Sequence, residues 1–451
     1  MIQELNERVR IQMRELAKLK TNGVKLGKGK KNAFFLRRVT QRLRTLGYYL
    51  SVRIARSEPS TVRFLYLLSM AGIYLHIPFC KQACHYCDFH FSTNTQRRGA
   101  IVEAMVHELR LQQNYLGGDE IRTIYLGGGT PSLLTESELG ELLEAIDYCF
   151  TVVTSPEITL EANPDDLTYD KLSVLQKAGI NRLSIGIQSF HEPHLRYLNR
   201  AHTASEATRC VQQARDIGFD NISIDLIYAI PAEDHRIWHR DLEQAVALQP
   251  QHISAYCLTI EEKTAFGRWQ RQGRLRAVSD EAAAEQFENL LSTLTAAGYD
   301  PYEVSNFCQP GKYSQHNTSY WQGEKYLGIG PSAHSYDGTS RQYNVAHNAK
   351  YLRAIQTEEP AYERETLSRY DRINELIMTG LRTKWGCDLE KLAQHHYPLL
   401  EIHTAYVDRL IAEQKATIRH NHLILTNEGK LLADGIAEDL FLINTEQPDE
   451  R

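Results

Sequence analysis

From residue 72 onward, short apolar runs rich in β-branched residues alternate with longer stretches of helical periodicity. The runs are Ile73–Ile77, Thr123–Leu126, Ile158–Ala162, Arg182–Ile187, Ile222–Leu226 and Ile253–Cys257. Between them lie Ala100–Tyr115, Glu136–Cys149, Ala204–Ile217 and Ile237–Ala247. Their apolar positions recur every three or four residues, which places them on one helix face. A further helical stretch, Ala282–Ala297, precedes another short strand at Tyr302–Ser305. Near-continuous apolar runs suit strands covered by helices on both faces. The alternation predicts an α/β fold, with a parallel sheet and right-handed crossovers. Six such units suit a partial (β/α)6 barrel, and a doubly wound open sheet is the alternative.

Beyond Ser368 the pattern changes. Helices are predicted at Asp371–Arg382, Leu389–His395 and Leu399–Glu413, then a hairpin over Ala416–Thr426 turning near Asn421. Thr426 is placed to cap a last helix running through Leu442. Three helices, a hairpin and a helix outline a small winged-helix-like unit. The resulting division is a basic extension 1–69, a core barrel 70–300, a connecting segment 301–367, a C-terminal domain 368–445 and a tail 446–451.

Composition narrows the class. The chain has 451 residues, 42% apolar and 24% charged, the make-up of an ordinary soluble protein. The net charge of −5 hides an asymmetry, since residues 1–69 hold 16 Lys and Arg against 4 Asp and Glu. A basic arm before an acidic body could touch nucleic acid or anionic lipid; a solvated leader accounts for it without a partner, and the acidic body argues against nucleic acid. The longest apolar run, Phe64–Ile77, is interrupted by Ser69 and His76. It is shorter than the roughly 20 residues of a spanning helix and too far along the chain for a signal peptide. No transmembrane segment and a cytoplasmic location are therefore expected, and in a reducing compartment clustered cysteines mean metal or catalysis.

Such a cluster follows the first strand directly. Cys80, Cys84 and Cys87 are spaced C-x3-C-x2-C, while the other five cysteines are scattered and read as buried free thiols. Structural zinc usually takes four ligands in paired units. Three thiolates suit a [4Fe–4S] cluster with one iron left open for an exchangeable ligand. A strand-end loop is also where ligands bind in such folds. The second strand ends in Gly127-Gly128-Gly129-Thr130-Pro131, a turn whose exposed N–H groups suit a carboxylate. Glu161, Gln188 and Asp225 end the third, fourth and fifth strands, one polar residue per strand on one rim.

The cysteine triple resembles the signature of the radical S-adenosylmethionine (SAM) superfamily. The resemblance implies a cluster whose open iron holds SAM, an electron donor to reduce that cluster, and reductive cleavage of the sulfonium. YLHIPFC, GGGTPS, LEANP, SIGIQSF, LNRAH and SIDLIY together resemble the oxygen-independent coproporphyrinogen III oxidase group, from about Met70 to the C-terminus. Carried over, Tyr74, Gly128, Glu161 and Thr259 would line the SAM on the cluster. Tyr86, Gly129, Thr130, Gln188, Arg200 and Asp225 match the oxidases' contacts to a second SAM.

Two features separate the chain from true oxidases. Phe89 stands where they have a fourth cysteine, and residues 316–321 read HNTSYW, matching the H-N-x-x-Y-W of HemW-type heme chaperones. That resemblance implies a protein that binds heme and passes it to an acceptor protein. His316 would offer an imidazole to heme iron, with Tyr320 and Trp321 packing the macrocycle. His334, in YLGIGPSAH, reads as structural within a loop. Ala229 stands where the group usually has glycine, and its methyl could crowd the backbone near Asp225. Family members begin near the equivalent of Met70, which makes residues 1–69 an appendage. The leading function is thus a heme chaperone. An oxygen-independent coproporphyrinogen III oxidase is the alternative, and a zinc-binding regulator acting on nucleic acid is the third.

Overall fold

The structure, a computed structural model, describes residues 70–443. The 1–69 extension and the 446–451 tail lie outside the described residues. The first half repeats strand and helix: β1 (Met70–Ile77), α1 (Arg98–Leu111), β2 (Glu120–Gly128), α2 (Glu136–Cys149), β3 (Val152–Ala162), α3 (Tyr169–Lys177), β4 (Arg182–Gln188), α4 (Glu192–Tyr197), α5 (Ala204–Ile217), β5 (Ile222–Tyr228), α6 (Arg236–Leu248) and β6 (His252–Cys257). Two helices follow, α7 (Ala265–Arg271) and α8 (Asp280–Ala296).

Strands β1 to β6 lie side by side in chain order, every neighbouring pair parallel. A doubly wound sheet reverses its order part-way. This one never does, so the repeat winds in one direction as a partial barrel. It does not close, because both edges are occupied by other strands. Beyond β6 come the short β8 (Asn306–Cys308) and β7 (Asp300–Pro301), both antiparallel. Beyond β1 comes β9 (Lys325–Ile329), parallel to it, then β10 (His334–Tyr336), β11 (Ser340–Asn344) and β12 (Tyr362–Thr366), joined antiparallel. The short α9 (Gln315–Trp321) precedes β9, and α10 (Asn348–Gln356) precedes β12.

Local chemistry explains the repeat. Ile73, Leu75 and Ile77 of β1 are almost wholly buried. Helix α2 begins at a capping box, with Thr135 and Glu138 each bonding the other's backbone N–H, and buries Leu139, Leu142, Ala145 and Ile146 on one face. Helix α5 begins at the same device, Thr203 with Glu206, and stops at Gly218 in the left-handed region.

The C-terminal region has its own apolar cluster, running from Ile373 to Leu440. Its elements are α11 (Arg369–Leu381), β13 (Cys387–Asp388), α12 (Leu389–Gln394), α13 (Leu399–Ile402), α14 (Thr404–Ala412), β14 (Ala416–Arg419), β15 (His422–Leu425), α15 (Asn427–Lys430) and α16 (Ala433–Asp439). The hairpin turns at His420 and Asn421, both with positive φ, the conformation two-residue hairpin loops favour. Strand β13 completes a three-stranded sheet ordered β13-β15-β14. Among the described residues no helix is long and apolar enough to cross a membrane.

Four expectations are corrected. Tyr302–Ser305 is not a strand but the turn between β7 and β8: the Glu303 carboxylate accepts from the Ser305 N–H and the Asn306 amide, a local bonding pattern that competes with a ladder. The helix expected over Leu399–Glu413 breaks at His403, whose Nε2 is hydrogen-bonded to the Tyr397 hydroxyl at 2.8 Å. Thr426 caps only α15, and a separate α16 follows. The segment around Tyr326–Gly330, read as a loop, carries β9. Ala229 adopts φ +59, a left-handed conformation that costs a residue with a β-carbon about 1–2 kcal/mol. Its N–H is held by the Gln286 side chain at 2.7 Å.

Candidate cofactor site at the strand ends

Strand β1 delivers the chain into the loop that carries the three cysteines. The loop is pinned from several sides. Phe79 is buried, the Cys80 N–H donates to the Ser92 carbonyl at 3.1 Å, and the His85 N–H donates to the Leu198 carbonyl at 3.1 Å. Gln82 donates to the Asn199 side chain at 2.7 Å. Cys80, Cys84 and Cys87 are free, partly exposed thiols that line one cavity of about 720 Å³. Burial pushes the Cys87 thiol up to about 11 and raises Cys80 as well. Among the described residues no three metal-binding side chains converge tightly enough for a single ion. Thiolates of a four-iron cluster bind separate irons and so stand further apart.

The end of β2 lies against this loop because Gly129 has no side chain. A β-carbon there would meet the Ile77 carbonyl oxygen at 2.6 Å and the Phe79 backbone at 2.7 and 2.8 Å. The preceding Gly128, at φ +101, donates its N–H to Glu161 Oε2 at 3.1 Å, and the Tyr125 hydroxyl donates to Glu161 Oε1 at 2.8 Å. Burial nevertheless raises the Glu161 carboxyl to about 7 and the Asp225 carboxyl to about 6.

Arg200 ties the loop to the sheet. One terminal nitrogen donates to the Asn163 side chain at 2.5 Å and the Gly186 carbonyl at 2.8 Å; the other lies 3.4 Å from both the Cys84 sulfur and the Tyr86 hydroxyl. Its Nε has no partner.

Every expected SAM residue faces the same cavity as the cysteines. Tyr74, Gly128, Glu161 and Thr259 line it, as do Tyr86, Gly129, Thr130, Gln188, Arg200 and Asp225. The H-N-x-x-Y-W residues do not stay together. His316 and Tyr320 reach this cavity, whereas Trp321 lines a second one of about 1090 Å³. His316 is 1% exposed and stacks on Tyr125 with ring centroids 5.1 Å apart. Its Nδ1 is hydrogen-bonded to the Thr123 hydroxyl at 2.6 Å and its Nε2 to the Tyr320 hydroxyl at 2.8 Å. Burial, then the Arg182 charge, lowers its pKa to about 3 and keeps it neutral. Iron ligation by His316 therefore requires one of these two bonds to break.

Comparison with known proteins identifies the lineage. Residues 74–245 match the radical SAM superfamily and residues 367–432 match the HemN C-terminal domain. Over 372 residues the chain is 34% identical to the heme chaperone HemW of Bacillus subtilis, spanning 81% of this chain and 98% of that protein. The chain belongs to the HemW family. The HemW of Lactococcus lactis is 36% identical over 370 residues, covering 82% of this chain and 97% of that protein. In fold, this HemW-family chain resembles coproporphyrinogen III oxidase (HemN) from Escherichia coli, a radical SAM enzyme. The TM-score is 0.71 at 23% identity, over 83% of this chain and 90% of the other. The architecture is thus the mixed α/β radical SAM fold with a helical C-terminal region, its sheet unclosed.

Two residues of this HemW-family cavity were not assigned to it from sequence. Arg182 is 2% exposed at the start of β4, lines the cavity, and has an unpartnered Nε. The available signal was an arginine opening an otherwise apolar strand. The other is Phe89, 72% exposed, which borders both cavities. The sequence had marked it only as the missing fourth cysteine.

Proposed function

We propose that this protein binds heme and hands it to an acceptor protein, and that it carries a [4Fe–4S] cluster on Cys80, Cys84 and Cys87 with SAM at the open iron. The observation that carries the reading is the match to proteins named heme chaperone HemW along nearly their whole length. The residues fit the cofactors. Three free thiols share one cavity, Gly128 and Gly129 bring bare backbone to its wall, and two buried guanidinium nitrogens in it lack partners. When bound, the cluster supplies an electron and an iron position for SAM; the protein supplies placement and electrostatics. Tyr74, Gly128, Glu161 and Thr259, which line the cavity, would hold that SAM. Arg200 braces the Cys84 side of the loop against β4. A cytoplasmic location and a separate electron donor belong to the same reading.

One observation favours the second reading, an oxygen-independent coproporphyrinogen III oxidase. The residues matching a second SAM, Tyr86, Gly129, Thr130, Gln188, Arg200 and Asp225, all line the cavity. Reconstituted protein incubated anaerobically with SAM, a reductant and coproporphyrinogen separates the two. The chaperone reading expects no protoporphyrinogen, retention of added hemin and its transfer to an apo-hemoprotein. Protoporphyrinogen formed by a protein that retains no hemin installs the oxidase in its place.

Glu161 makes SAM binding pH-dependent. With its pKa near 7 the carboxyl is mostly neutral at pH 6 and anionic at pH 8. The anion attracts the sulfonium cation, so SAM affinity should rise across that interval, by up to about tenfold for a single linked proton. Glu161→Gln should bind more weakly and show a flat profile. A variant that keeps the parent's slope assigns the effect to another group.

A further inference from the structure

The second cavity lies between the sheet extension and the C-terminal helices. We propose that it is the heme pocket, with His334 rather than His316 as the iron ligand. The proposal rests on the heme-chaperone reading and gives that reading a place in the fold.

One wall is an aromatic surface dictated by register, its rings tilted or edge-on to one another. In the β10–β11 pair His334 opposes Tyr343 and Tyr336 opposes Arg341, while Tyr336 also opposes Tyr326 of β9. Residues directly opposite, or two apart on one strand, share a face of the sheet. His334, Tyr336, Arg341 and Tyr326 accordingly line the cavity together. Tyr320 continues the surface, its ring centroid 4.6 Å from that of Tyr326, and Trp321 lies beyond it. The facing wall is α11, which presents Arg372, Glu375, Leu376 and Thr379 at helical spacing, followed by Trp385. A cleft with several rings on the sheet side, Trp385 from the C-terminal region and a volume of about 1090 Å³ suits a large, largely apolar macrocycle.

The choice of ligand follows from which imidazoles have both ring nitrogens free of hydrogen bonds. Five histidines border the cavity: His76, His90, His334, His395 and His422. His76 is buried and bonded at both nitrogens, to the Tyr74 hydroxyl at 3.1 Å and the His90 carbonyl at 2.9 Å. His90 Nε2 is bonded to Asn348 at 2.7 Å. His422 Nδ1 is bonded to the His420 carbonyl at 2.8 Å, with its Nε2 3.9 Å from Asp388. His334 stands exposed on the sheet face that carries the tyrosines, its ring edge-on to Tyr343 at 5.0 Å, with no hydrogen bond to the ring among the described residues. His395 is similarly free but ends helix α12 of the C-terminal region and is not part of the aromatic sheet. Partial burial and the Arg341 charge hold the His334 pKa below its ordinary value, which favours the neutral, iron-binding imidazole.

The cavity also has charge for the two propionates. Arg372 and Lys391 border it without an ion-pair partner among the described residues, whereas Arg341 is held by Glu375 at 2.7 Å. Tyr74, Asp88, Phe89 and Tyr320 border both cavities, so a heme here would adjoin the cluster and SAM site. His316 then acts as a positioning residue, its Nε2 bonded to the hydroxyl of Tyr320 in the shared wall.

Hemin titration of the full-length, cluster-reconstituted protein tests this. His334→Ala should shift the Soret band and weaken binding by about tenfold or more, with added imidazole restoring the parent's spectrum. His316→Ala should keep the parent's Soret position while binding more weakly. Circular dichroism and cluster absorbance should match the parent in the His334 variant, whose side chain is exposed. The assignment is overturned if His334→Ala keeps the parent's spectrum and affinity, or if imidazole-rescuable loss follows His316→Ala instead. A parent that binds no hemin overturns the chaperone reading itself, a result distinct from either.

Discussion

Alanine at Cys80, Cys84 or Cys87 should each abolish the brown chromophore of anaerobically reconstituted protein, together with its iron and acid-labile sulfide. The three sulfurs line one cavity, and a loop pinned at Cys80, Gln82 and His85 gives a lost ligand no nearby substitute. Cys149 is the control. It closes α2, is absent from the cavity lining, and its alanine variant should keep the full complement of iron and sulfide. Metal analysis also decides between this reading and a zinc regulator, because zinc without sulfide would be inconsistent with the cluster. A Cys84→Ala protein with an unchanged spectrum would refute the assignment.

The second large effect is expected at Gly129. Its added methyl would sit 2.6–2.8 Å from three backbone atoms of Ile77 and Phe79, and backbone cannot swing aside as a side chain can. Either β1 and β2 separate at their ends or the cysteine loop shifts. The Gly129 N–H also donates to the Ile77 carbonyl at 2.9 Å, so the same displacement breaks the bond that registers the two ends. Gly129→Ala should lose about 2–4 kcal/mol of stability, the cost of overpacking plus a broken buried hydrogen bond, and should hold far less cluster. Gly99→Ala is the comparison. No atom lies within 4 Å of the β-carbon it would gain on helix α1, and it should be neutral or more stable by about 0.5–1 kcal/mol. Denaturant midpoints and iron content measure both. Equal midpoints for the two variants would show that the strand ends tolerate the methyl.

The core repeat was legible along the chain because its signals are local. Apolar runs coincide with β1 to β6, and the helices expected at Glu136–Cys149 and Ala204–Ile217 match α2 and α5 residue for residue. The capping threonines and the terminal glycine of α5 act within four residues, so a linear reading sees them. The cysteine spacing is equally local, as is the rule that strand-end residues gather on one rim, and Glu161, Gln188 and Asp225 do line one cavity. The sheet extension β9 to β12 was invisible, since its strands are short and their pairing partners lie far along the chain: β9 pairs with β1 across about 250 residues. Arg182 carried no motif and Phe89 only the place of a missing cysteine; their exposure and neighbours come only from packing.

His316 shows the boundary most directly. Residue type and family context marked it as a heme ligand, because an imidazole among aromatics has that capacity. Whether its nitrogens are free depends on the Thr123 hydroxyl, which lies 193 positions away in sequence and 2.6 Å away in space. His334, read as structural, has an open ring beside a wall of tyrosines because β10 turns back onto β9 and β11. Periodicity tells which face of an element avoids water, since burial of apolar surface is non-directional and roughly additive. It does not tell which polar atom finds which partner. Hydrogen bonds are directional and paired, so that choice is made only when distant segments meet.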